Sequence, residues 1–259
     1  RLDARGPGAA VSRRPRRILD LTMARLVFDH VTVQYPIYNS RTQSLRHQLV
    51  AMGTGGRIAH GARRITTVTA LNDVSFELVD GDSIGLIGHN GSGKTTLLRT
   101  MAGIYAPVSG TVIREGRVST IIEVGAGMDA ELSGYENIVR MGLLLEMSHP
   151  EIAAAVPGIE ELTELGDYLA MPVRTYSTGM VMRLMFAVAT SNRPDILLID
   201  EMLGTGDATF QQKAQMRMRE MIDSARIFVF ASHSEELLRR HCRRLFRLEH
   251  GTLTEVPMP

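Results

Sequence analysis

Residues 88–95 read GHNGSGKT, which matches the phosphate-loop pattern G-x-x-x-x-G-K-S/T. An apolar strand pattern at 83–88 precedes the loop, and a helical pattern at 94–103 follows it. Glycines let the backbone turn tightly and direct its N–H groups at phosphate oxygens, while the helix start adds its positive dipole end. We therefore predict phosphate contacts from Gly88, His89, Asn90, Gly91, Ser92, Gly93, Lys94 and Thr95.

The last two residues of this loop also carry side-chain chemistry of their own. Lys94 brings a positive charge to the β- and γ-phosphates of a nucleotide, and the Thr95 hydroxyl is placed to bind Mg²⁺. The predicted ligands are therefore ATP and Mg²⁺.

Two carboxylates end an apolar strand pattern at 196–199. In phosphate-loop proteins an aspartate at this place, here Asp200, holds Mg²⁺, usually through water. The next carboxylate, Glu201, can polarise the attacking water. A strand that ends in Asp-Glu is by itself often an exposed turn or a helix cap, and the preceding phosphate loop is what favours the metal site.

His233 follows the next apolar strand pattern, at 227–231. A histidine at this place can hold the γ-phosphate and sense its loss. The alternative is a connecting loop in which Ser232 and Glu235 form a capping box. Both can hold, because capping uses the serine and leaves the imidazole available.

Strand and helix patterns alternate along most of the chain, which predicts an α/β domain with a mostly parallel core sheet. Residues 133–190 interrupt this alternation with helical patterns, and capping boxes begin at Ser133 and Ser148. We interpret this block as an inserted helical subdomain. Within it, Ser177 and Gly179 open a helix at 180–190, and a helix start of this kind is a second anion site.

The composition is that of an ordinary globular protein, with 44% hydrophobic and 22% charged residues among 259. A net charge of +1 does not indicate nucleic-acid binding, and we predict none. Cys242 is the single cysteine, which excludes an internal disulfide and fits a reducing compartment. No run of apolar residues approaches the roughly 18 that a membrane-spanning helix needs, so a partner must supply any span.

Residues 1–22 contain six arginines and two aspartates and are rich in Gly, Ala and Pro. This composition predicts disorder, and the segment lacks the apolar core of a signal peptide. We interpret it as a basic extension upstream of the natural start at Met23, with a genuine basic tail as the alternative. The folded domain is then predicted to span 23–259.

Residues 176–180 read YSTGM and stand at the start of the helix at 180–190. With the phosphate loop and the Asp-Glu strand end, they give a sequence that resembles the ABC ATPase family from Met23 to about Thr252. The resemblance implies a P-loop NTPase fold of the ABC cassette type, with an antiparallel β subdomain beside the core sheet. It also implies a head-to-tail homodimer, in which the signature turn of one copy closes on the ATP of the other.

The resemblance further implies roles for individual residues. Glu201 is the general base, Asp200 binds magnesium and His233 is the switch histidine. Thr96 lies beside the phosphates, and Tyr35 stacks on adenine. The signature residues are Ser177, Thr178, Gly179 and Met180, of which the serine and the glycine contact the γ-phosphate across the dimer.

Three segments depart from the commoner family pattern. The signature reads Tyr-Ser-Thr-Gly-Met instead of Leu-Ser-Gly-Gly-Gln, and residues 203–207 read LGTGD instead of Ser-Ala-Leu-Asp. The usual glutamine before the helical subdomain is missing from residues 121–127, which read IIEVGAG. Glu123 is our substitute for that metal ligand, and Val124 takes the position after a one-residue shift.

These departures, and a long insert after Tyr35, resemble the polysaccharide exporters of the family. That branch implies export of a lipid-linked polysaccharide, of O-antigen or galactan type, through a separate membrane permease. The protein is then expected to be peripheral, at the cytoplasmic face of the inner membrane. The alternatives are an ATPase of a teichoic acid or capsule exporter, a soluble ABC ATPase that acts on ribosomes or DNA, or a nucleotide-dependent binding module without catalysis.

The predicted insert at 36–69 is basic. Residues 36–72 contain five arginines, two histidines and no acid. Residues 41–52 can form a short helix with Leu45, Leu49 and Met52 on one side. Such a segment can lie on anionic headgroups at a membrane interface, where the exporter branch has a helix, whereas the alternative is a solvated connecting loop.

Neutralising Arg41 and Arg46 tests the membrane-interface interpretation. We expect the double glutamine variant to lose several-fold more export than basal ATP hydrolysis, because these charges would face headgroups and not the nucleotide. Export by cells and ATP turnover by the purified protein are measured side by side. Equal loss of both activities would count against a membrane role.

Overall fold

The computed structural model of the chain describes residues 23–37, 66–121, 127–200 and 208–257. The predictions made for the N-terminal extension, for the helix at 41–52 and for Glu123, Val124 and Glu201 concern residues outside these ranges. In the described part of the chain, no helix combines the length and the apolar character needed to span a bilayer.

The described residues form two sheets and a set of helices. The strands are β1 (Arg25–Ile37), β2 (Thr66–Val79), β3 (Ser83–Ile87), β4 (Ser109–Glu115), β5 (Val118–Ile121), β6 (Ile196–Asp200), β7 (Ile227–Ala231), β8 (Arg244–Glu249) and β9 (Thr252–Val256). The α-helices are α1 (Lys94–Met101), α2 (Gly134–Leu144), α3 (His149–Thr163), α4 (Thr178–Ala189), α5 (Ala208–Ser224) and α6 (Glu235–His241). Two 3₁₀ helices lie at Gly166–Ala170 and Val173–Thr175.

The larger sheet has six strands in the order β5-β6-β7-β3-β8-β9. The first five of these run parallel, and β9 pairs antiparallel with β8. Residues 196–199 of β6 are 0% exposed, and every residue of β7 is buried. Strands buried on both faces are typical of parallel sheets covered by helices. The prediction of an α/β fold with a mostly parallel core sheet is confirmed.

A three-stranded antiparallel sheet, in the order β2-β1-β4, shares a hydrophobic cluster with the core sheet. The patterns at 26–28 and 31–35 predict two strands, but the structure has one continuous β1. A bulge accommodates His30, whose φ of 51° is left-handed, so the pairing register shifts between Phe28 and Val31. The apolar pattern at 74–78 predicts a further short strand, but β2 begins earlier, at Thr66.

The residue pattern at 235–244 predicts a helix after β7, and the structure has a shorter one. Helix α6 ends at His241, and β8 then pairs with the phosphate-loop strand β3. The side chains of Leu245 and Leu248 are 0% exposed in this sheet. Their burial against neighbouring strands overrides the helical preference of the basic residues before them, and a local pattern cannot report that.

Helices α2, α3 and α4 surround a hydrophobic cluster of their own. The two predicted capping boxes are present, since Glu136 accepts a hydrogen bond from the Ser133 backbone N–H at 2.8 Å and Glu151 accepts one from Ser148 at 2.7 Å. Hydrogen bonds from Ser148 and from Arg117 lower the pKa of Glu151 to about 2. The stability that this carboxylate contributes is therefore complete above the ordinary pKa of glutamate and is lost as the pH falls through the lowered value.

Asn137, in α2, hydrogen-bonds to the backbone of residues 129–133, which lead into that helix. Its side chain is 0% exposed, and its Oδ1 accepts from the backbone N–H of Asp129 at 2.8 Å. Its Nδ2 donates to the carbonyls of Asp129, Leu132 and Ser133 at 2.9, 3.2 and 2.9 Å. The three carbonyls also accept from backbone N–H groups, so the amide adds a second bond to each and provides the acceptor for the Asp129 N–H.

We expect Asn137→Ala to lower the free energy of unfolding by about 1–3 kcal/mol, because the Asp129 N–H loses the acceptor that the Asn137 side chain provides. Urea denaturation followed by circular dichroism measures the change. Gln215→Ala removes an exposed amide from α5 and should change stability by less than about 0.5 kcal/mol. Equal denaturation midpoints for the Asn137 variant and its parent would contradict the assignment.

Candidate active site

The carboxyl ends of β3, β6 and β7 lie together at one edge of the core sheet, because the three strands run parallel in adjacent positions. Strand β3 leads into the phosphate loop, β6 ends at Asp200, and β7 ends shortly before His233. In register, Ala231 of β7 pairs with Asp200 on one side and with Leu86 on the other. The fold therefore collects three segments that are far apart in the sequence.

Close backbone contacts shape the phosphate loop and require glycine. Gly93, immediately before α1, has a left-handed φ of 110°. A Cβ at Gly88 would overlap the carbonyl oxygen of Leu248 and lie 2.6 Å from Ser92 Oγ. A residue without a side chain is needed at both positions.

The ammonium group of Lys94 lies inside the loop. Its Nζ donates to the Gly88 carbonyl at 2.6 Å and to the His89 carbonyl at 3.1 Å. The lysine is largely buried, and a buried charge is costly unless hydrogen bonds compensate for lost water. Lys94 therefore holds the first two loop residues in place as well as presenting its charge.

Thr95 joins the loop to the end of β6. Its Oγ1 donates to Asp200 Oδ2 at 2.7 Å. A hydroxyl and a carboxylate are hard oxygen donors of the kind that Mg²⁺ prefers. Ser92 adds an Oγ that is buried and has no hydrogen-bond partner among the described residues. This set of donors fits a site for Mg²⁺ and phosphate oxygens.

A cavity of about 690 Å³ opens at the loop, a volume that suits a nucleotide. Gly88 and His89 do not line it, and their carbonyls accept from Lys94 instead. The other described residues of the predicted nucleotide and metal site all line the cavity, namely Tyr35, Asn90, Gly91, Ser92, Gly93, Lys94, Thr95, Thr96, Asp200 and His233.

The β8–β9 turn forms another side of the cavity, which the sequence patterns do not predict. His250 and Gly251 line it, and the His250 ring lies 5.4 Å from the ring of His89, measured between centroids. The Gly251 backbone N–H donates to the Ser92 carbonyl at 3.3 Å, and its carbonyl accepts from Asn72 at 2.9 Å. The His-Gly pair is a turn signal in the sequence. The sequence patterns do not predict the strands β8 and β9 on either side of it, so the signal could not be assigned to a hairpin.

His233 is exposed at the cavity, in the loop between β7 and α6. The residue that caps α6 is Ser234. Ser234 Oγ accepts from the Leu237 backbone N–H at 3.3 Å and caps α6. Ser232 Oγ instead accepts from the Ser234 backbone N–H at 3.2 Å. The alternative prediction of a capping box at Ser232 is wrong, because the helix begins later in the chain.

The signature residues lie at a second concave surface, of about 390 Å³. Ser177 caps α4 by accepting from the Met180 backbone N–H at 3.3 Å, and Thr178 is the first residue of that helix. Ser177, Gly179 and Met180 line this surface, which shares no described lining residue with the nucleotide cavity. The fold of one chain thus brings the phosphate loop, Asp200 and His233 together at one cavity. The signature turn lies at a different surface of the same chain.

The sequence profile of the family described as ABC transporter matches residues 71–204. The chain belongs to the ABC transporter family. The O-antigen export system ATP-binding protein RfbE of Yersinia enterocolitica is 63% identical to this ABC cassette over 91% of the chain and 99% of its own length. RfbB of Klebsiella pneumoniae, another O-antigen export ATP-binding protein, is 36% identical over 88% of the chain and 92% of its length. The teichoic acids export ATP-binding protein TagH of Listeria innocua is 35% identical over 90% of the chain, which spans 66% of that relative.

Solved structures share the fold of the cassette. An ATP-binding subunit of an ABC transporter superposes with a TM-score of 0.64 at 20% identity and 90% coverage of both chains. A dimeric ATP-binding cassette bound to ADP and phosphate gives a TM-score of 0.62 at 17% identity, over 90% of this chain and 100% of that one. The predicted architecture, an ABC cassette with an antiparallel sheet and a helical insert, is confirmed.

Gly88→Ala tests whether the loop geometry is as tight as the backbone contacts indicate. We expect at least about tenfold weaker nucleotide binding and a lower melting temperature, because the added methyl displaces the loop from the Leu248 carbonyl. Calorimetry with Mg-ATP and a thermal melt measure the two effects. Gly158→Ala on α3, where a Cβ meets nothing within 4 Å, should bind normally and be up to about 1 kcal/mol more stable. Normal nucleotide binding by the Gly88 variant would contradict this geometry.

Proposed function

We propose that this ABC cassette hydrolyses ATP to power export of a lipid-linked polysaccharide, of O-antigen type, across the cytoplasmic membrane. The observation that carries the ATPase chemistry is the contact of Thr95 with Asp200, which assembles a metal and phosphate site at the loop. The 63% identity to the Yersinia RfbE protein, along 99% of that relative, supports the substrate class.

Nucleotide binding is assigned to the loop, to α1 and to one aromatic ring. The backbone N–H groups of residues 90–95 and the Lys94 ammonium bind the phosphates, helped by the dipole of α1. Thr96 lies beside them. Tyr35 lines the same cavity and stacks on adenine, and Val68, its cross-strand neighbour, adds apolar surface to that wall.

Hydrolysis is assigned to residues around the γ-phosphate. Thr95, Asp200 and Glu123 would hold Mg²⁺, with Glu123 in place of the family's glutamine. Bound Mg²⁺ neutralises charge on the β- and γ-phosphate oxygens. Glu201, the next residue after Asp200, takes a proton from the attacking water as general base. His233 contacts the γ-phosphate and senses its release.

A second copy of the chain completes each nucleotide site. Support comes from the separation of the two concave surfaces, since the signature turn does not line the nucleotide cavity of its own chain. In a head-to-tail dimer, Ser177, Thr178, Gly179 and Met180 of one copy close on the nucleotide of the other. The start of α4 then directs N–H groups and its positive dipole end at the γ-phosphate.

Export also needs membrane permease subunits, and the outer face of α2 is suited to dock one. Tyr135, Val139 and Leu143 follow one another at a spacing of four residues and are 40%, 38% and 45% exposed. An exposed apolar row of this kind is typical of a surface that a partner helix covers. The cassette would then be a peripheral subunit at the cytoplasmic face of the membrane.

Teichoic acid export is the second candidate function. TagH proteins of three bacteria, Listeria innocua, Listeria monocytogenes and Levilactobacillus brevis, are 35–38% identical to the chain over 90% of it. Their identity is well below that of the Yersinia RfbE protein, and the chain spans about two thirds of their length, 62–66%. O-antigen export therefore remains the leading proposal.

Substitutions at the loop and at the proposed base test the ATPase. Lys94→Ala should abolish measurable Mg-ATP binding, whereas Glu201→Gln should bind Mg-ATP normally and turn over about 10²–10⁴-fold more slowly. Lys213→Ala removes a lysine paired with Glu164 and is the matched control, with unchanged binding and turnover. Parental nucleotide affinity in the Lys94 variant would overturn the proposal, and parental turnover in the Glu201 variant would remove that residue as the base.

The substrate is identified by purifying the cassette with its membrane complex. We expect mass spectrometry of the bound glycolipid to give a lipid-linked polysaccharide of O-antigen type. A polyol-phosphate polymer of the teichoic acid class in its place would favour the second candidate.

A further inference from the structure

A second tyrosine lies against the ring that we assign to adenine stacking. The rings of Tyr35 and Tyr105 meet edge to face, with centroids 5.5 Å apart and planes inclined at 75°. Tyr35 lines the nucleotide cavity, whereas Tyr105 is not among the described residues that line it. Tyr105 therefore supports the stacking ring from outside the cavity.

Tyr105 is itself attached to the phosphate-loop helix. Arg99, in the last turn of α1, donates from Nη1 to the Tyr105 hydroxyl at 2.8 Å. The backbone N–H of Tyr105 also donates to the Arg99 carbonyl at 3.3 Å. Gly103, with a left-handed φ of 79°, turns the chain back after the helix and makes this return possible. Both the backbone and the side chain of Tyr105 are thus fixed relative to α1.

Tyr35 has a direct attachment to the same helix. Its hydroxyl donates to Thr96 Oγ1 at 3.2 Å. Burial raises the pKa of the Tyr35 hydroxyl, so the group stays protonated and remains a donor. Thr96 and Arg99 are three residues apart and lie on one side of α1. This side of α1 contacts Tyr35 by two routes. One is the direct hydrogen bond to Thr96, and the other runs from Arg99 through Tyr105.

We propose that Tyr105, with Arg99, is a positioning residue that presets the orientation of the Tyr35 ring for the base of the nucleotide. The same helix begins with Lys94 and Thr95. One rigid element therefore holds both the residues that bind the phosphates and the tyrosine ring that stacks on the base. A ring already oriented for stacking loses little conformational entropy when the base binds. The inference rests on the function proposed above, since it needs a nucleotide base against Tyr35.

A packing role for Tyr105 alone makes a different prediction from a positioning role. Loss of packing at the end of α1 would disturb the phosphate loop and weaken every phosphate ligand. Loss of positioning affects only ligands that carry a base. ATP and inorganic tripolyphosphate share the phosphate chain and differ in the nucleoside, so comparing them separates the two roles.

Tyr105→Leu in the full chain tests the inference by calorimetry with Mg²⁺ and either ligand. We expect about 3- to 10-fold weaker ATP binding, the usual worth of an edge-to-face pair, and less than about twofold change for tripolyphosphate. KM for ATP should rise with kcat unchanged, as expected when uniform binding is lost. Tyr105→Phe keeps the ring and loses the contacts of the hydroxyl with Arg99 and Tyr35, so it should give a smaller loss and remain folded.

Fluorescence can report on the orientation and mobility of the ring at position 35. The chain has no tryptophan, so Tyr35→Trp introduces a single tryptophan at the stacking position, which is excited at wavelengths that tyrosine does not absorb. We expect ATP to quench it, and Tyr105→Leu in that background to lower both its anisotropy and the quenching. In a Tyr35→Leu background, Tyr105→Leu should cause no further loss of ATP affinity, because the two changes remove one interaction.

Gln215→Ala is the control for nucleotide binding by the purified subunit. Gln215 is exposed on α5 and does not line the nucleotide cavity, so ATP affinity should not change. Equal weakening of ATP and tripolyphosphate by Tyr105→Leu would overturn the inference, as would no weakening in either Tyr105 variant or additive losses with Tyr35→Leu. If the parent protein fails to bind Mg-ATP at all, the proposed function fails first, so the two failures are distinguishable.

Discussion

The hydrogen bond from Thr95 to Asp200 joins the first turn of α1 to the end of β6, and the rest of the site is arranged around it. It can form because β6, β7 and β3 run parallel in adjacent positions, which brings their carboxyl ends to one edge. Residues 196–199 and 227–231 are buried, so neither strand can withdraw without exposing apolar surface. The hydrophobic core thereby sets the geometry of a polar site.

The phosphate loop is also confined from the side of the antiparallel sheet and the β8–β9 hairpin. The carbonyl oxygen of Leu248 lies 2.4 Å from a Cβ placed on Gly88, and the carbonyl oxygen of Ala70 lies 2.6 Å from a Cβ placed on Gly93. Gly251 adds a backbone hydrogen bond to Ser92. Backbone atoms of β2, of β8 and of the β8–β9 turn therefore confine the loop, and these contacts require its glycines as much as a phosphate does.

Two of the three clusters of buried residues hold different parts of the proposed machinery. Helix α1 belongs to the core around the sheet and holds Lys94, Thr95 and the residues that hydrogen-bond to Tyr35 and Tyr105. Helix α4 packs with α2 and α3 in a second cluster and carries the signature turn. The ion pair of Arg117 with Glu151, at 2.9 Å, links the start of the core strand β5 to α3. A subdomain with its own core can move as a unit while the loop keeps its shape.

Local patterns were enough to predict the phosphate loop, Asp200 at the strand end and the capping boxes at Ser133 and Ser148, because each depends on residues a few positions apart in the chain. The continuity of β1 through His30 and the change from helix to strand after His241 could not be predicted, since pairing and burial against distant strands decide them. The same holds for His250 at the cavity and for Tyr105 behind Tyr35, which only the packing of hairpin, sheet and helix brings into place. The sequence by itself therefore determined the chemistry available to the protein, and the tertiary structure decided which side chains surround it, because contacts between remote segments form only when a shared core buries them.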